Sequence, residues 1–211
     1  MKQAKAEILE EYGPLPGVDQ VGGVSYDGEN VWIAVGPRLE AIDPDNGKQR
    51  RSLNVAAYAG TAYDGSYLYQ IAEDRIRKID PGSGQVLATI GTPGEGCSGM
   101  AWAEGSLWVG QYKERKIHQI DPATGKVLRT IESNRFVTGV TWVDGDLWHG
   151  TWEEEQSHIR RIDPKSGEVL EQLDMPPGVI VSGLEADGAG RFFCGGGSSG
   201  KVRTVRRPAR A

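Results

Sequence analysis

The sequence lacks the features that mark secreted, metal-binding and membrane-spanning proteins. It has two cysteines, Cys97 and Cys194, and neither a CxxC nor an HExxH motif, so neither a disulfide framework nor a zinc site is indicated. No apolar run approaches the roughly 18 residues that span a bilayer. Residues 1–7 also lack the apolar segment of a secretory signal. We therefore expect a cytoplasmic protein with no membrane partner and no cofactor.

Positive charge and helical periodicity are also scarce. Lys and Arg total 24 against 29 Asp and Glu, which gives a net charge of -5. An acidic chain without a basic cluster is not typical of nucleic-acid binding. The 30 glycines, with almost no apolar spacing of the helical kind, instead favour turn-rich β structure.

One short motif recurs at nearly constant spacing. It reads Ile-Asp-Pro-x-x-Gly and begins at Ile42, Ile79, Ile120 and Ile162. Successive aspartates are 37, 41 and 42 residues apart, and a period of about 40 residues is the signature of a repeat architecture. Within each copy Asp opens a turn, Pro presets φ and Gly supplies a positive φ. Because apolar residues alternate on both sides, each copy predicts a hairpin between two strands.

Each repeat also contains two inner strands joined by an acidic-Gly turn such as Asp144-Gly145. The first of these strands carries a glycine at one register in every repeat, at Gly23, Gly60, Gly99, Gly139 and Gly183. An interior glycine weakens a strand unless another backbone comes close, so we expect five strands crowded around one axis.

The second strand of each repeat carries one aromatic residue, namely Trp32, Tyr69, Trp108, Trp148 and Phe193. A mostly small residue follows two positions later, which predicts packing between neighbouring sheets rather than a stacking surface for bases.

The fifth repeat lacks its outer strand at the C-terminus, and the start of the chain supplies one. Residues 6–18 read like residues 167–179, which include the outer strand of the fourth repeat. The sequence therefore predicts one all-β domain, a five-bladed β-propeller with four-stranded blades and an N-terminal strand that completes the last blade. The expected blades are residues 17–55, 56–92, 93–133, 134–175, and 176–206 together with 5–12. We expect this ring to be a monomer.

Two stretches resemble a known family. The run from Gly139 to Trp148, continued by Trp152 and by the Arg-Ile-Asp-Pro of residues 161–164, is similar to the fourth blade of plant and bacterial glutaminyl-peptide cyclotransferases. Gly-Glu-Gly at residues 94–96, followed by Ser-Gly-Met at residues 98–100, resembles the opening of their third blade. The resemblance implies a five-bladed propeller that cyclises N-terminal glutamine to pyroglutamate.

The chain departs from that family at the positions that carry its chemistry. From blade one to blade five, the family has Phe-Thr-Gln-Gly-Leu, Glu-Gly, Trp-Gly, Asn-Glu-Leu-Glu-Trp and Thr-Gly-Lys. The residues at the aligned positions of this chain are Gln20-Val21-Gly22-Gly23-Val24, Ala59-Gly60, Ser98-Gly99, Thr138-Gly139-Val140-Thr141-Trp142 and Gly195-Gly196-Gly197. Of the mouth residues only Trp152 matches. Since amide cyclisation needs a titratable group at the reacting nitrogen, these replacements predict that the chain is not a true glutaminyl cyclase.

Function is expected at the end of the ring where first strands begin and second strands end, called the mouth below. Glu73 is the one central carboxylate there and the candidate general base. The candidate ligand-binding residues are the aromatic, hydroxyl and loop residues of this end, namely Tyr58, Cys97, Ser98, Tyr112, Arg135, Phe136, Thr138, Trp152 and Ser182. In this interpretation Tyr112 and Trp152 form apolar walls and the three hydroxyls donate hydrogen bonds to a small organic molecule.

The type of activity stays open, as does whether the chain is an enzyme at all. The leading hypothesis is a cyclotransferase-like propeller that binds or acts on a small molecule. A metal-assisted lyase similar to streptogramin lyases is an alternative, because His158 follows the acidic run of residues 153–155, although a solvated acidic loop is favoured there. A non-catalytic propeller that binds a small ligand or a peptide is the other alternative. We interpret Cys97 as a buried, inert thiol and not as a nucleophile. We interpret His149 as a packing residue and not as a ligand.

Overall fold

The computed structural model describes residues 1–209, which form twenty-one strands. These strands build five sheets whose innermost strands contact one another in a closed ring. The fold is the predicted all-β, five-bladed propeller with four-stranded blades. None of the described residues forms a helix long and apolar enough to cross a membrane.

The strands follow the chain from the inside of each blade outwards, after two N-terminal strands, β1 (Lys2–Lys5) and β2 (Ile8–Tyr12). Blade 1 contains β3 (Gly23–Tyr26), β4 (Val31–Ala34), β5 (Leu39–Ile42) and β6 (Gln49–Leu53). Blade 2 contains β7 (Thr61–Tyr63), β8 (Leu68–Ala72), β9 (Arg75–Ile79) and β10 (Val86–Gly91). Blade 3 contains β11 (Cys97–Ala103), β12 (Ser106–Gln111), β13 (Lys116–Ile120) and β14 (Val127–Glu132). Blade 4 contains β15 (Val137–Val143), β16 (Asp146–Glu153), β17 (Gln156–Ile162) and β18 (Val169–Asp174). Blade 5 contains β19 (Leu184–Ala186), β20 (Arg191–Gly195), β21 (Val202–Arg206) and the N-terminal β2.

The ring closes through β2, as the sequence predicts. This strand runs antiparallel to β21, with Tyr12 opposite Val202 and Ile8 opposite Val205. Glu11 also accepts hydrogen bonds from Lys201 at 2.5 Å and from Arg203 at 2.7 Å. The first and last segments of the chain therefore share one sheet.

The first strand was not anticipated as a separate element. β1 lies outside blade 4 as a fifth strand, parallel to β18, with Lys2 opposite Glu171 and Lys5 opposite Asp174. The Lys2 ammonium lies 3.2 Å from the Glu171 carboxylate. The sequence interpretation assigned the N-terminal segment to blade 5 alone, so β1 is an addition to the predicted layout.

The recurring Asp-Pro motif forms the hairpin turn between the two outer strands, as predicted. In blade 3 the carboxylate of Asp121 accepts hydrogen bonds from the main-chain N–H of Ala123 at 3.0 Å and of Thr124 at 2.8 Å. A hydrogen bond from the Thr124 hydroxyl, together with these main-chain bonds, lowers the pKa of Asp121. The Gly125 N–H closes the turn by donating to the Asp121 carbonyl at 2.8 Å. The repeated aspartate therefore stabilises the backbone of its own turn.

Each of these turns also packs against the outer strand of the preceding blade. The turn glycines Gly47, Gly84, Gly125 and Gly167 lie against Tyr12, Leu53, Ile90 and Ile131, respectively. Blade 5 has no such turn, because its outer strand comes from the other end of the chain. In its place the chain leaving β1 contacts the end of β18, where the Ala6 N–H donates to the Asp174 carbonyl at 2.8 Å. β1 thus occupies the seam that the missing turn leaves open.

The glycines of the innermost strands meet around the axis. A β-carbon on any of them would lie closer than 3.0 Å to a backbone atom of the next blade, and this holds for Gly23, Gly60, Gly99, Gly139 and Gly183. Real side chains essentially never come so close. The close approach predicted from the repeated glycine is therefore confirmed, and the five strands meet backbone to backbone.

Apolar clusters fill each junction between neighbouring blades. The ring of Trp108 in blade 3 lies tilted against that of Trp142 in blade 4, with ring centroids 5.1 Å apart. Trp148 of blade 4 meets Phe192 of blade 5 at 5.0 Å in the same way. Burying such side chains contributes on the order of 2–3 kcal/mol each. The repeated aromatic residues are buried between the blades, as predicted.

Candidate functional site

The mouth is formed by the turns that follow the second strand of each blade and by the connections that enter the first strand. Several turn residues there have a positive φ, among them Glu73 at 58°, Arg115 at 56° and Glu154 at 53°. Side chains other than Gly, Asn and Asp rarely adopt this region. Glu73 thus lies on the rim of the mouth, in a turn whose backbone is in the left-handed region.

A depression of about 380 Å³ opens on the mouth at the junction of blades 2 and 3. It is lined by Tyr58, Ala59, Ile71, Glu73 and Cys97. Tyr58 is 54% exposed, which is unusual for a large apolar side chain of this structure, and Glu73 is exposed beside it. Three of the residues selected from the sequence, Tyr58, Glu73 and Cys97, are thus brought together.

The thiol in this depression is not activated. Cys97 Sγ donates to the Gly94 carbonyl at 3.3 Å. Burial raises the pKa of Cys97 to about 11, so at neutral pH the group is a thiol and not a nucleophilic thiolate. Cys97 therefore lines the depression as an uncharged thiol.

A second group of selected residues meets at the junction of blades 3 and 4. The rings of Tyr112 and Phe136 lie 4.9 Å apart, and the Arg115 guanidinium lies 4.7 Å from the Phe136 ring centre. Glu153 forms an ion pair with Arg115 and lies 3.7 Å from Arg135. Burial raises the pKa of Tyr112, and the nearby Glu153 adds to that rise. This cluster is held together by its own contacts.

Arg115 and Glu153 were not among the residues selected from the sequence as a site. Arg115 lies in the turn that follows β12, and Glu153 is the last residue of β16. Their pairing joins blade 3 to blade 4. The sequence offers one signal, a basic residue and an acidic residue near the ends of the second strands of adjacent blades. It could not show that these two side chains approach each other.

Two of the three hydroxyls selected as hydrogen-bond donors are engaged inside the ring. Ser98 donates to the Val137 carbonyl of the next blade at 2.7 Å. Ser182 donates to the Val21 carbonyl at 2.5 Å and accepts from the Gly197 N–H at 3.0 Å. Thr138 is buried and packs against Gly150, and its hydroxyl has no partner among the described residues. Ser98 and Ser182 therefore link successive blades.

Trp152 lies on the mouth at the end of β16, and its side chain is half-buried. It is two residues from Gly150 and four from Trp148, so alternation along the strand places all three on the side that faces blade 5. Tyr112 and Trp152 do not line the depression around Glu73. The walls next to this carboxylate are Tyr58 and Ile71 instead.

The histidines have partners other than the acidic run of residues 153–155. His158 is buried, with Nδ1 3.2 Å from the Thr151 hydroxyl and Nε2 3.6 Å from Asp174. Burial, with Arg135 and Arg160 nearby, lowers its pKa. His149 is fully buried, with Nδ1 3.1 Å from the Gly150 carbonyl, and burial lowers its pKa to about 4. Within residues 1–209 no three His, Cys, Asp or Glu side chains are grouped as a metal would require.

Glu185 is a carboxylate that the sequence interpretation did not select. It follows the axial Gly183 by two residues, at the register held by Ser25 and Thr141 in other blades. The carboxylate accepts from the Thr141 hydroxyl at 2.5 Å and from the Ala186 N–H at 2.9 Å, and from the main chain of Tyr26 in blade 1. Burial raises its pKa to about 7. Glu185 thus connects three blades beyond the glycine ring, away from the mouth.

A larger cleft of about 470 Å³ lies on the outside of the ring, between β2 and blade 1. Its carboxylates are already paired, since Glu40 binds Arg38 at 2.6 Å and Glu11 binds Lys201 and Arg203. The Tyr12 hydroxyl donates to the Pro44 carbonyl at 2.9 Å. We favour the mouth depression as the site because its carboxylate and its aromatic ring remain exposed.

Comparison with known proteins supports the fold. No protein-family model and no curated protein sequence matches this chain. Among solved structures, the glutaminyl cyclase of Myxococcus xanthus matches with a TM-score of 0.79 and 18% identity over 97% of both chains. The WD40 β-propeller domain of Doa1 matches with a TM-score of 0.57 and 16% identity, over 89% of this chain and 64% of that chain. At such identities the likeness defines the class, a glutaminyl-cyclase-like β-propeller fold, and leaves the activity to the site.

Proposed function

We propose that this propeller binds a small organic amine in the mouth depression. One observation carries the proposal. An exposed carboxylate, Glu73, lies beside an exposed aromatic ring, Tyr58, and both line a depression of about 380 Å³. Ligand sites are usually concave and apolar with a few polar groups that fix orientation. Ile71 and Ala59 supply the apolar floor.

The charge of the depression favours a cation. Among residues 1–209, Glu73 is the one acidic residue that lines it, and no basic residue does. An ammonium group near a tyrosine ring gains a cation–π attraction, and a carboxylate within reach adds a charge-assisted hydrogen bond. An amine with an apolar body of a few carbon atoms therefore matches the lining better than a carboxylic acid does.

Binding without turnover is the form of function that these groups support. Cys97 is held as a thiol, with a pKa raised to about 11. Glu153 is bound between Arg115 and Arg135 and does not line the depression. Glu73 is exposed to water on a turn, and a general base is usually desolvated and held against its substrate. We therefore propose a binding protein with the fold of a glutaminyl cyclase.

The test is a binding screen with matched ligand pairs. Alkyl and aromatic amines, amino-acid amides and a glutaminyl peptide would be titrated against the protein, each beside an analogue in which the amine is acetylated. A ligand that binds the native state must raise the melting temperature. We expect the free amines to do so and the acetylated analogues to have no effect.

Variants locate the ligand once an amine is found. Glu73→Gln and Tyr58→Ala should each weaken binding at least about tenfold, a loss of about 1.4 kcal/mol, with the melting temperature of the unliganded protein unchanged. Glu154→Gln is the matched control, because Glu154 is equally exposed on the corresponding turn of blade 4 with a positive φ of 53°. Trp152→Ala shows how far the ligand extends. A ligand confined to the depression should bind this variant with unchanged affinity, whereas a ligand that spans the mouth should bind it more weakly. Equal affinity in Glu73→Gln and wild type would overturn the proposal.

A further inference from the structure

The outer edge of a blade can accept an additional strand in this molecule. β1 pairs with β18 along four residues of blade 4, from Lys2 opposite Glu171 to Lys5 opposite Asp174. Blade 4 already has its full set of four strands without β1. Main-chain groups at the edge of a sheet are a template for pairing, and blade 4 shows that the geometry of this ring permits it.

The corresponding edge of blade 2 is open and apolar. β10 is the edge strand of its sheet, and Val86 and Leu87 are 41% and 46% exposed. The residues at the same register in blade 4, Val169 and Leu170, are half-buried. Large apolar side chains exposed on an unpaired edge mark a surface that pairs with another chain.

Charge distinguishes blade 2 from every other blade. Each of the other outer strands carries a charged residue at one shared register, at Arg51, Arg129, Glu171 and Glu10 in blades 1, 3, 4 and 5. Blade 2 has Ala88 there. Residues 81–94, which include all of β10, are 14 consecutive residues without a charge, the longest such run in the sequence. Charged side chains on an edge strand discourage pairing between chains, and β10 lacks this protection.

We propose that β10 is a dimerisation strand, along which two copies of this chain pair antiparallel through their blade 2 edges. The pairing joins two four-stranded sheets into one continuous sheet across a two-fold axis. Because the strand is uncharged, it places no like charges opposite each other when it meets itself. A two-fold contact of this kind uses the same surface on both copies and closes upon itself. This arrangement replaces the monomer expected from the sequence.

A second copy fits this edge better than a strand like β1 does. β1 carries two lysines, and blade 4 meets them with Glu171 and Asp174. β10 has no acidic residue to offer such a segment. What it presents is β-branched and aliphatic residues, and the same residues on a second copy provide the complementary partner.

The contact is small, which sets the range in which it must be measured. Six residues of β10 span about 20 Å at roughly 3.4 Å per residue. Interfaces below about 1,200 Å² belong to weak complexes, so we expect a dissociation constant on the order of 10–100 μM, or about −7 to −5 kcal/mol. Sedimentation velocity from about 5 to 500 μM covers this range.

A matched pair of variants tests the assignment to β10. Leu87→Lys restores a charge on this edge, and Leu128→Lys makes the same change at the same register of β14, where the side chain is 53% exposed. Both side chains are at the surface, so both variants should fold with unchanged melting temperatures. We expect the wild type and Leu128→Lys to dimerise with equal affinity, and Leu87→Lys to be monomeric up to the highest concentration, at least a tenfold weakening.

Hydrogen exchange locates the contact independently of substitution. Amides of residues 86–90 should exchange more slowly at high than at low protein concentration, while those of residues 127–131 should be indifferent to concentration. A wild-type chain that stays monomeric at about 500 μM, well above the dissociation constants expected for a contact of this size, would overturn the proposal. So would a dimer that Leu87→Lys leaves intact or that protects residues 127–131 instead.

Discussion

The two ends of the ring use their polar side chains differently. At the end opposite the mouth, acidic residues repeat from blade to blade and bind the backbone of their own turns. Asp27, for example, accepts from the N–H of Asn30 at 2.6 Å and from the indole N–H of Trp32 at 2.6 Å. At the mouth, Tyr58 stands at the register that is held by Val21, Cys97, Val137 and Val181 in the other blades, and both Tyr58 and Glu73 remain exposed.

This difference separates scaffold from site in a repeat protein. A residue that recurs once per blade has a task that every blade shares, such as closing a turn or packing on a neighbour. A residue that occurs in one blade has no such task, and rigid scaffolds carry function on irregular positions of this kind. The mouth hydroxyls Ser98 and Ser182 show the limit of the rule, because they sit at the mouth yet link blades.

The largest expected effect is on ring closure. Deleting residues 1–12 removes β1 and β2, which exposes the edges of both β18 and β21. Because unpaired edges pair with other chains, we expect loss of soluble folded protein. Circular dichroism and gel filtration of the truncated chain measure this, and a truncated chain with wild-type melting behaviour would refute the role of β2. Removing residues 1–5 alone is the control and should leave the ring closed.

A smaller effect is expected from Glu185, and it depends on pH. Its pKa is about 7 in the folded protein against about 4.3 in an unfolded chain. The folded state therefore favours the protonated form, and this contribution is full below about pH 4 and lost as pH rises through 7. We expect the stability difference between wild type and Glu185→Gln to fall by up to about 2–3 kcal/mol from pH 4.5 to pH 8. Urea denaturation at both pH values measures it.

His149 provides an opposing contribution in the same range. Its pKa is lowered to about 4 in the folded protein, so its stabilising effect is present above about pH 6.5 and lost as pH falls towards 4. The wild-type curve alone therefore mixes two opposite slopes. The difference between wild type and Glu185→Gln removes the histidine contribution, and a difference independent of pH would mean that Glu185 is ionised throughout.

The turn end should respond to substitution with a loss of stability and no change in the mouth. Asp27→Ala removes the acceptor of the buried Trp32 indole N–H, and an unsatisfied buried donor costs about 1–3 kcal/mol. Asp163→Ala, on an exposed turn, should cost less. Thermal unfolding gives the stability, and titration of the folded protein with an amine should give wild-type affinity. A weakened affinity in Asp27→Ala would place the site at the wrong end of the ring.

No effect at all is expected in an assay for glutamine cyclisation. The resemblance described in the sequence analysis aligns Ala59 and Gly197 with a carboxylate and a lysine of that family. Thr138 is buried against Gly150. Mass spectrometry of a glutaminyl peptide should therefore show no loss of ammonia above the uncatalysed background. Turnover well above that background would contradict the alignment of the blades on which the replacements depend.

The architecture could be predicted because its causes are local and repeated. The Asp-Pro turns, the axial glycines and the aromatic residues each occur at a fixed register, and the likeness of residues 6–18 to residues 167–179 revealed the closing strand. β1 could not be predicted, since its four exposed residues have no apolar pattern. It pairs with β18 because the seam is left open there, which is a property of the assembled ring.

The candidate site could be predicted only in part. The sequence brought Tyr58, Glu73 and Cys97 to the same end, and the structure joins them in one depression. It could not show that Glu153 reaches Arg115 across a blade junction, nor that the Ser98 and Ser182 hydroxyls are already bound to neighbouring carbonyls. Contacts between blades depend on the twist of each sheet and on the spacing between neighbouring sheets. Neither quantity can be predicted from the sequence of a single repeat.

The close contact of the axial glycines determines the route by which a ligand would enter and leave the mouth. At the axis the five innermost strands meet backbone to backbone, so we expect no passage for a ligand through the ring to the opposite end. Any molecule held in the depression must arrive and depart from the same side. Exchange would then follow simple one-step kinetics, and a bulky partner docked over the rim would slow capture and release by equal factors.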